Sequence, residues 1–147
     1  MRTQKGITLV ALVITIIVLL ILAGVTIAAL GGSNGILTNA TAAKQADEIG
    51  NTKDQINLIA NEAISDFYKK TYLNDTSVTI TATDLQGAVK EYIKAEIKSE
   101  KIGNCTVKVD TPTAGKITVV SSDNKKQAVG TIAADGGVTW DPITNKT

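Results

Sequence analysis

The sequence predicts an α+β fold. A long apolar N-terminal helix continues, through a Gly-rich break, into an amphipathic helix packed on a small antiparallel β-meander with a second helix. Three observations carry this expectation. No charged residue occurs between Lys5 and Lys44, a run of 38 residues. Over residues 36–70, apolar residues recur at three- and four-residue steps, the period of a helix with one buried stripe. After Asn104 the period falls to two, the pattern of half-buried strands.

Composition removes several function classes. The 147 residues carry a net charge of +1, too even a balance for a nucleic-acid binder, which needs a basic excess to meet phosphates. The chain has no His, which removes His metal sites and Ser-His triads. One Cys removes any intrachain disulfide and any Cys-cluster zinc site. The charges are segregated: a short basic leader (1–6, with Arg2 and Lys5), an uncharged rod, and a mixed-charge body.

The first element is the rod, residues 7–30, ITLVALVITIIVLLILAGVTIAAL. As a helix it is about 36 Å long at 1.5 Å per residue, enough to cross a hydrocarbon core of ~30 Å. Its many β-branched residues favour strand in water, but a lone strand leaves its backbone unsatisfied in lipid, so helix is predicted. Arg2 and Lys5 ahead of the span place that end in the cytoplasm and the body outside. The run is too long for the apolar region of a cleaved secretory signal, and the segment around Ala29-Leu30-Gly31 is a poor cleavage site. A simple single-pass anchor remains an alternative reading.

Two ladders run along the rod. Thr8, Thr15 and Thr26 fall near one line of the helix, and Gly24, Ala28 and Gly32 follow each other at four-residue steps. Small residues at that spacing let helices approach closely, and aligned hydroxyls bond between helices. The competing reading is that each Thr bonds back to its own i−4 carbonyl, and that Gly and Ala are merely common in membrane helices.

The next five residues, Gly31-Gly32-Ser33-Asn34-Gly35, are a breaker, either a hinge or a plain linker. In the helix predicted over 36–70, Ile49, Ile56, Ile59, Ala60, Ala63 and Phe67 form the stripe. The remaining residues, 71–147, form an α+β head. Ser77–Thr81 is predicted as a short strand. Thr83-Asp84-Leu85-Gln86 fits a capping box that opens a helix over 83–99, with Leu85, Val89, Tyr92, Ile93 and Ile97 on one face. Strands are predicted around Cys105–Val109, Ile117–Ser121, Ala128–Ala133 and Val138–Trp140, a meander of three or four. Turns fall at Pro112–Gly115, Ser122–Lys125 and Asp135-Gly136.

The N-terminus resembles a type IV prepilin. The residues that carry the likeness are Lys5-Gly6, then ITLVALVITIIVLLILAGVTI, then GGSNGILTNA, wording similar to pilin-like proteins of Gram-positive Firmicutes. The likeness covers roughly residues 1–60. It implies that a prepilin peptidase cuts between Gly6 and Ile7 and N-methylates Ile7. It implies that the rod holds the subunit in the membrane and then packs in the centre of a helical filament. The expected partners are other copies of the chain in a homopolymer, the peptidase, a membrane platform protein and an assembly ATPase. The expected location is an extracellular pilus at the cell surface, reached from the cytoplasmic membrane. In most of the family the fifth mature residue is a Glu that pairs with the amine of a neighbouring subunit. Here that position is Ala11, a pattern found in minor or tip subunits. The alternatives are therefore a minor pilin or pseudopilin of a secretion or DNA-uptake system, or a membrane-anchored binding module.

No catalytic constellation is visible, and neither a cofactor nor a metal is expected. Asp123-Asn124 and Asp135 sit in turns that turn chemistry explains better than calcium. Cys105 alternates with polar residues as a small core side chain. Thr is abundant, 20 of 147 residues, and N-x-[ST] occurs at Asn39, Asn74, Asn104 and Asn145. These are glycosylation sequons or simply part of a Thr-rich β surface. The rod has no aromatic residue, which argues against electron transport along a filament.

Overall fold

A computed structural model describes the backbone of residues 5–74, 82–110 and 115–147, and the side chains of 8–73, 84–110 and 115–147. The architecture is α+β: helix up to Leu73, then a shorter helix and an antiparallel sheet. The predicted strand at Ser77–Thr81 and the turn residues 112–114 lie outside the described residues. The chain divides into two compact units, one ending at Ala43 and one starting at Lys44.

In the first unit, helix α1 spans Lys5–Gly31. Its 27 residues contain no helix breaker except Gly, and none is acidic. It ends where glycines accumulate. The Gly32 amide donates to the Ala28 carbonyl at 3.1 Å, and the Gly35 amide to the Gly32 carbonyl at 2.7 Å. A side chain at Gly35 would meet the Leu30 carbonyl oxygen at 2.5 Å, so only Gly fits this tight corner. Helix α2, Ile36–Asn74, starts directly after it. Thr38 Oγ1 donates to the same Gly32 carbonyl at 3.0 Å, a second donor beside the Gly35 amide.

In the second unit, α2 presents its stripe to the sheet. Ile49, Ile56, Ala60 and Ala63 are buried, and Ile59 and Phe67 pack beside them. Each buried aliphatic side chain contributes about 1.5–3 kcal/mol relative to exposure. The same stripe buries Gln45 and Thr52, which apolar periodicity alone does not reveal. Helix α3, Ala82–Glu96, adds Leu85, Val89 and Ile93, with Ile97 just beyond its end.

Two details of α3 differ from expectation. The helix starts at Ala82, ahead of Thr83, whose side chain lies outside the described residues, and the Gln86 amide donates to the Ile132 carbonyl. It also stops at Glu96, not at 99, because the chain turns through Glu100 with φ +52°.

The sheet has six strands, not three or four: β1 (Lys101–Ile102), β2 (Cys105–Val109), β3 (Lys116–Val120), β4 (Lys126–Ile132), β5 (Val138–Trp140) and β6 (Thr144–Asn145). The order is β1-β2-β3-β4-β5, all neighbours antiparallel, with β6 also on β4. β5 pairs with residues 130–132 and β6 with 126–127, so the two lie end to end along one edge of β4. Register aligns Val107, Val119 and Ala128 in one buried row, and Val109, Ile117, Gly130 and Trp140 in the next. A Cβ at Gly130 would meet the Trp140 ring at 2.9 Å, so the indole lies over the glycine. Gly136, at φ +82°, makes the β4–β5 turn predicted at Asp135-Gly136. The Gly137 amide donates to Asp135 Oδ1 at 2.9 Å.

Candidate functional site

The feature that sets this chain apart is the surface of α1. Fifteen large aliphatic side chains between Leu9 and Leu30 are exposed, on every side of the helix. Ile27, for example, is 71% exposed. Leaving that many such groups in water costs on the order of tens of kcal/mol. By length and composition α1 can cross a membrane. An apolar surface on all sides belongs to a helix surrounded by lipid or by other helices.

The predicted packing residues take clear positions on it. Gly24 has nothing within 4 Å of a built Cβ, so no group of its own chain requires a glycine there. A Cβ added at Gly32 would lie 3.1 Å from the Ala28 carbonyl oxygen. Ala28 and Ala11 are exposed. Thr15 Oγ1 donates to the Leu12 carbonyl at 2.7 Å, and Thr26 Oγ1 to the Leu22 carbonyl at 2.6 Å. Those two hydroxyls are thus satisfied inside their own helix. Thr8 also has an interaction of its own. Gly6 and Ile7 lie in the first turn of α1.

The body shows no concentrated chemistry among the described residues. No group of three His, Cys, Asp or Glu is placed to hold a metal ion. The ion pairs Lys44–Glu48 (4.0 Å) and Asp66–Lys70 (2.8 Å) are helical neighbours on the surface. The Asp66 carboxylate, chiefly through its hydrogen bond, raises the Lys70 pKa. Two shallow hollows flank Tyr92, one of about 240 Å³ along the end of α3 and one of about 180 Å³ between α2 and α3. Cys105 is fully buried, and burial pushes its thiol above the ordinary value. Of the sequons, Asn39, Asn104 and Asn145 are exposed, while the Asn74 side chain lies outside the described residues.

Sequence reasoning missed a polar latch between α2 and the β3–β4 turn. Gln45 Nε2 donates to Asp123 Oδ2, and Ser122 Oγ donates to Glu48 Oε2 at 2.7 Å. Asp123 also accepts from Ser121 Oγ (2.8 Å) and from the Lys125 amide (3.1 Å). The Ser121 hydroxyl is the main reason its carboxyl titrates below the usual value. A second tie joins Trp140 Nε1 to Asn57 Oδ1 at 2.9 Å, with Lys53 Nζ 5.4 Å from the ring centroid. The only sequence signal for either tie is a polar residue at a position the helical period assigns to the buried side.

No family model, no curated protein and no solved structure matches the chain.

Proposed function

We propose that the chain is a structural, non-enzymatic subunit of a type IV pilus-like extracellular filament. Its precursor is held in the cytoplasmic membrane by residues 7–30, cut between Gly6 and Ile7 by a prepilin peptidase, and polymerised through the same helix. The observation that carries this reading is α1, apolar on all sides with its aliphatic side chains exposed. The leader residues Lys5-Gly6 and the wording of the rod add the resemblance.

Lipid tails are as apolar as leucine, so leaving the membrane for a filament yields little further hydrophobic gain. Close packing must favour the filament instead. Gly24, open to its surroundings, offers a place for a neighbouring helix to approach. The partners in this reading are other copies, the peptidase, a platform protein and an assembly ATPase. Glycosylation at Asn39, Asn104 or Asn145 would decorate the exposed shell.

Ala11 favours a second reading, a minor pilin or pseudopilin. Without a carboxylate at that position, a charged N-terminal amine buried among aliphatic helices lacks a counterion, which is costly. Subunit stoichiometry in isolated filaments separates the two readings.

The deciding experiment is the intact mass and N-terminal sequence of protein sheared from the cell surface. The expected species starts at methylated Ile7 and lacks the first six residues. A species starting at Met1 and confined to the membrane fraction would refute the filament reading and leave a single-pass anchored module.

A further inference from the structure

Asn34 stands directly before Gly35 in the break between α1 and α2. The chain has nine asparagines, and only this one precedes a glycine. An Asn-Gly pair is chemically labile, because glycine has no Cβ to shield its amide nitrogen or to restrict its approach to the asparagine side chain. The structure shows why the pair stands here. A Cβ at Gly35 would lie 2.5 Å from the Leu30 carbonyl oxygen and 2.9 Å from the Gly32 carbonyl oxygen. The corner admits only Gly, so its steric demand creates the chemical liability.

The same corner ties up the nucleophile. The Gly35 amide donates to the Gly32 carbonyl at 2.7 Å, closing a turn over residues 32–35, and Gly35 is buried. The Gly32 carbonyl also accepts from Thr38 Oγ1 at 3.0 Å, and the Gly35 carbonyl accepts from the Asn39 amide at 3.1 Å. Both sides of Gly35 are thus held by its neighbours. Its nitrogen must lose a proton before it can attack, and a bonded, buried N–H reaches hydroxide only when the structure opens locally. Asn34 itself is exposed. The electrophile is open to water while the nucleophile is closed.

We infer that Asn34 is a site of spontaneous deamidation whose rate is set by opening of the turn over residues 32–35. In the open turn, hydroxide takes the proton of the Gly35 N–H. The nitrogen attacks Asn34 Cγ, the new N–Cγ bond closes a succinimide ring, and the Cγ–Nδ2 bond breaks. Nδ2 takes a proton from water and leaves as ammonia. Water then opens the ring at either carbonyl, which leaves aspartate or isoaspartate at position 34. Water is the only co-reactant. Either product puts a carboxylate into residues 6–43, which otherwise carry no charge. Isoaspartate also adds a methylene to the backbone, at a corner with no room for a Cβ. The original turn cannot reclose around it, so an opening event is recorded covalently. This inference does not depend on the proposed function.

The test follows every asparagine by peptide mass mapping in the full chain, held in detergent micelles under mildly alkaline conditions. A synthetic peptide of residues 30–38 carries the same pair without the fold and serves as the reference. Isoaspartate is scored with an isoaspartyl methyltransferase, and amide exchange at Gly35 is followed by NMR. Asn34 is expected to convert ahead of the other asparagines, yet roughly tenfold or more slower than in the peptide. That slowing corresponds to about 1.4 kcal/mol for opening the turn, the scale of one backbone hydrogen bond. Exchange at Gly35 should be slowed by a similar factor, because both reactions need the same N–H set free, and added urea should speed the two together. Equal conversion rates in chain and peptide would overturn the inference. So would another asparagine converting first, or a rate at Asn34 that does not follow Gly35 exchange as urea is raised.

Discussion

Replacing Gly136 by Ala tests the packing of α2 and α3 on the β4–β5 turn. Gly136 has φ +82°, where an L side chain is strained by about 1–2 kcal/mol. A Cβ there would also lie 2.7 Å from Ile64 Cγ1 and 3.1 Å from Val89 Cγ2. Relieving such overpacking costs a further ~1–3 kcal/mol. The sum is roughly 2–5 kcal/mol. Gly103 isolates the first part, because it has φ +57° but nothing within 4 Å of a built Cβ. Gly103→Ala should therefore cost only about 1–2 kcal/mol. The assay is urea unfolding of the full chain in detergent micelles, followed by fluorescence of Trp140, the single tryptophan. With a slope of ~1–3 kcal/mol per molar urea, the midpoint for Gly136→Ala should fall roughly 0.3–3 M below that of Gly103→Ala. Adding Ile64→Ala should recover part of the Gly136→Ala loss, since it removes the atoms that clash. Equal losses at Gly103 and Gly136, or strict additivity with Ile64→Ala, would refute the packing explanation.

Three further outcomes are expected. Asn57→Ala removes the acceptor of the indole N–H, costs about 1 kcal/mol in the same urea assay, and changes the native Trp140 emission. Cys105 should resist a thiol reagent at pH 8 in the folded chain and react only on unfolding, since burial both covers it and raises its pKa. Asp123 is depressed in the folded state, chiefly by the Ser121 hydroxyl, so its contribution is present above the ordinary value of 3.8 and lost as pH falls through the lower folded value. Unfolding midpoints measured from pH 5 down to pH 2 should fall less in Ser121→Ala than in wild type, because less stability is left to lose.

Local pattern made much of the molecule readable in advance. Twenty-four residues without a polar group beyond Thr predict a long apolar helix, and α1 is one. Glycines mark the break because no other residue fits at Gly35. The stripe Ile49, Ile56, Ala60 and Ala63 repeats with the helical turn, and Cys105–Val107 and Ile117–Val119 alternate with the pleat. The exposed apolar surface of α1 was legible for the same reason: it consists of one uninterrupted composition.

What tertiary structure decided was pairing. β1 and β6 have two residues each, too few to show any period, and exist only because β2 and β4 present free edges beside them. Gln86 reads as the end of a capping box, yet its amide finds the Ile132 carbonyl across the core. Gln45 and Asp123 are 78 positions apart and meet only after the sheet has placed the β3–β4 turn against α2. Thr15 and Thr26 had two acceptors open to them in sequence terms, and the helix supplied the nearer one. Period and composition act between residues a few positions apart, so the sequence alone determined the elements. Hydrogen-bond partners are chosen among groups that only the folded chain brings within 3 Å of each other, and those the tertiary structure decided.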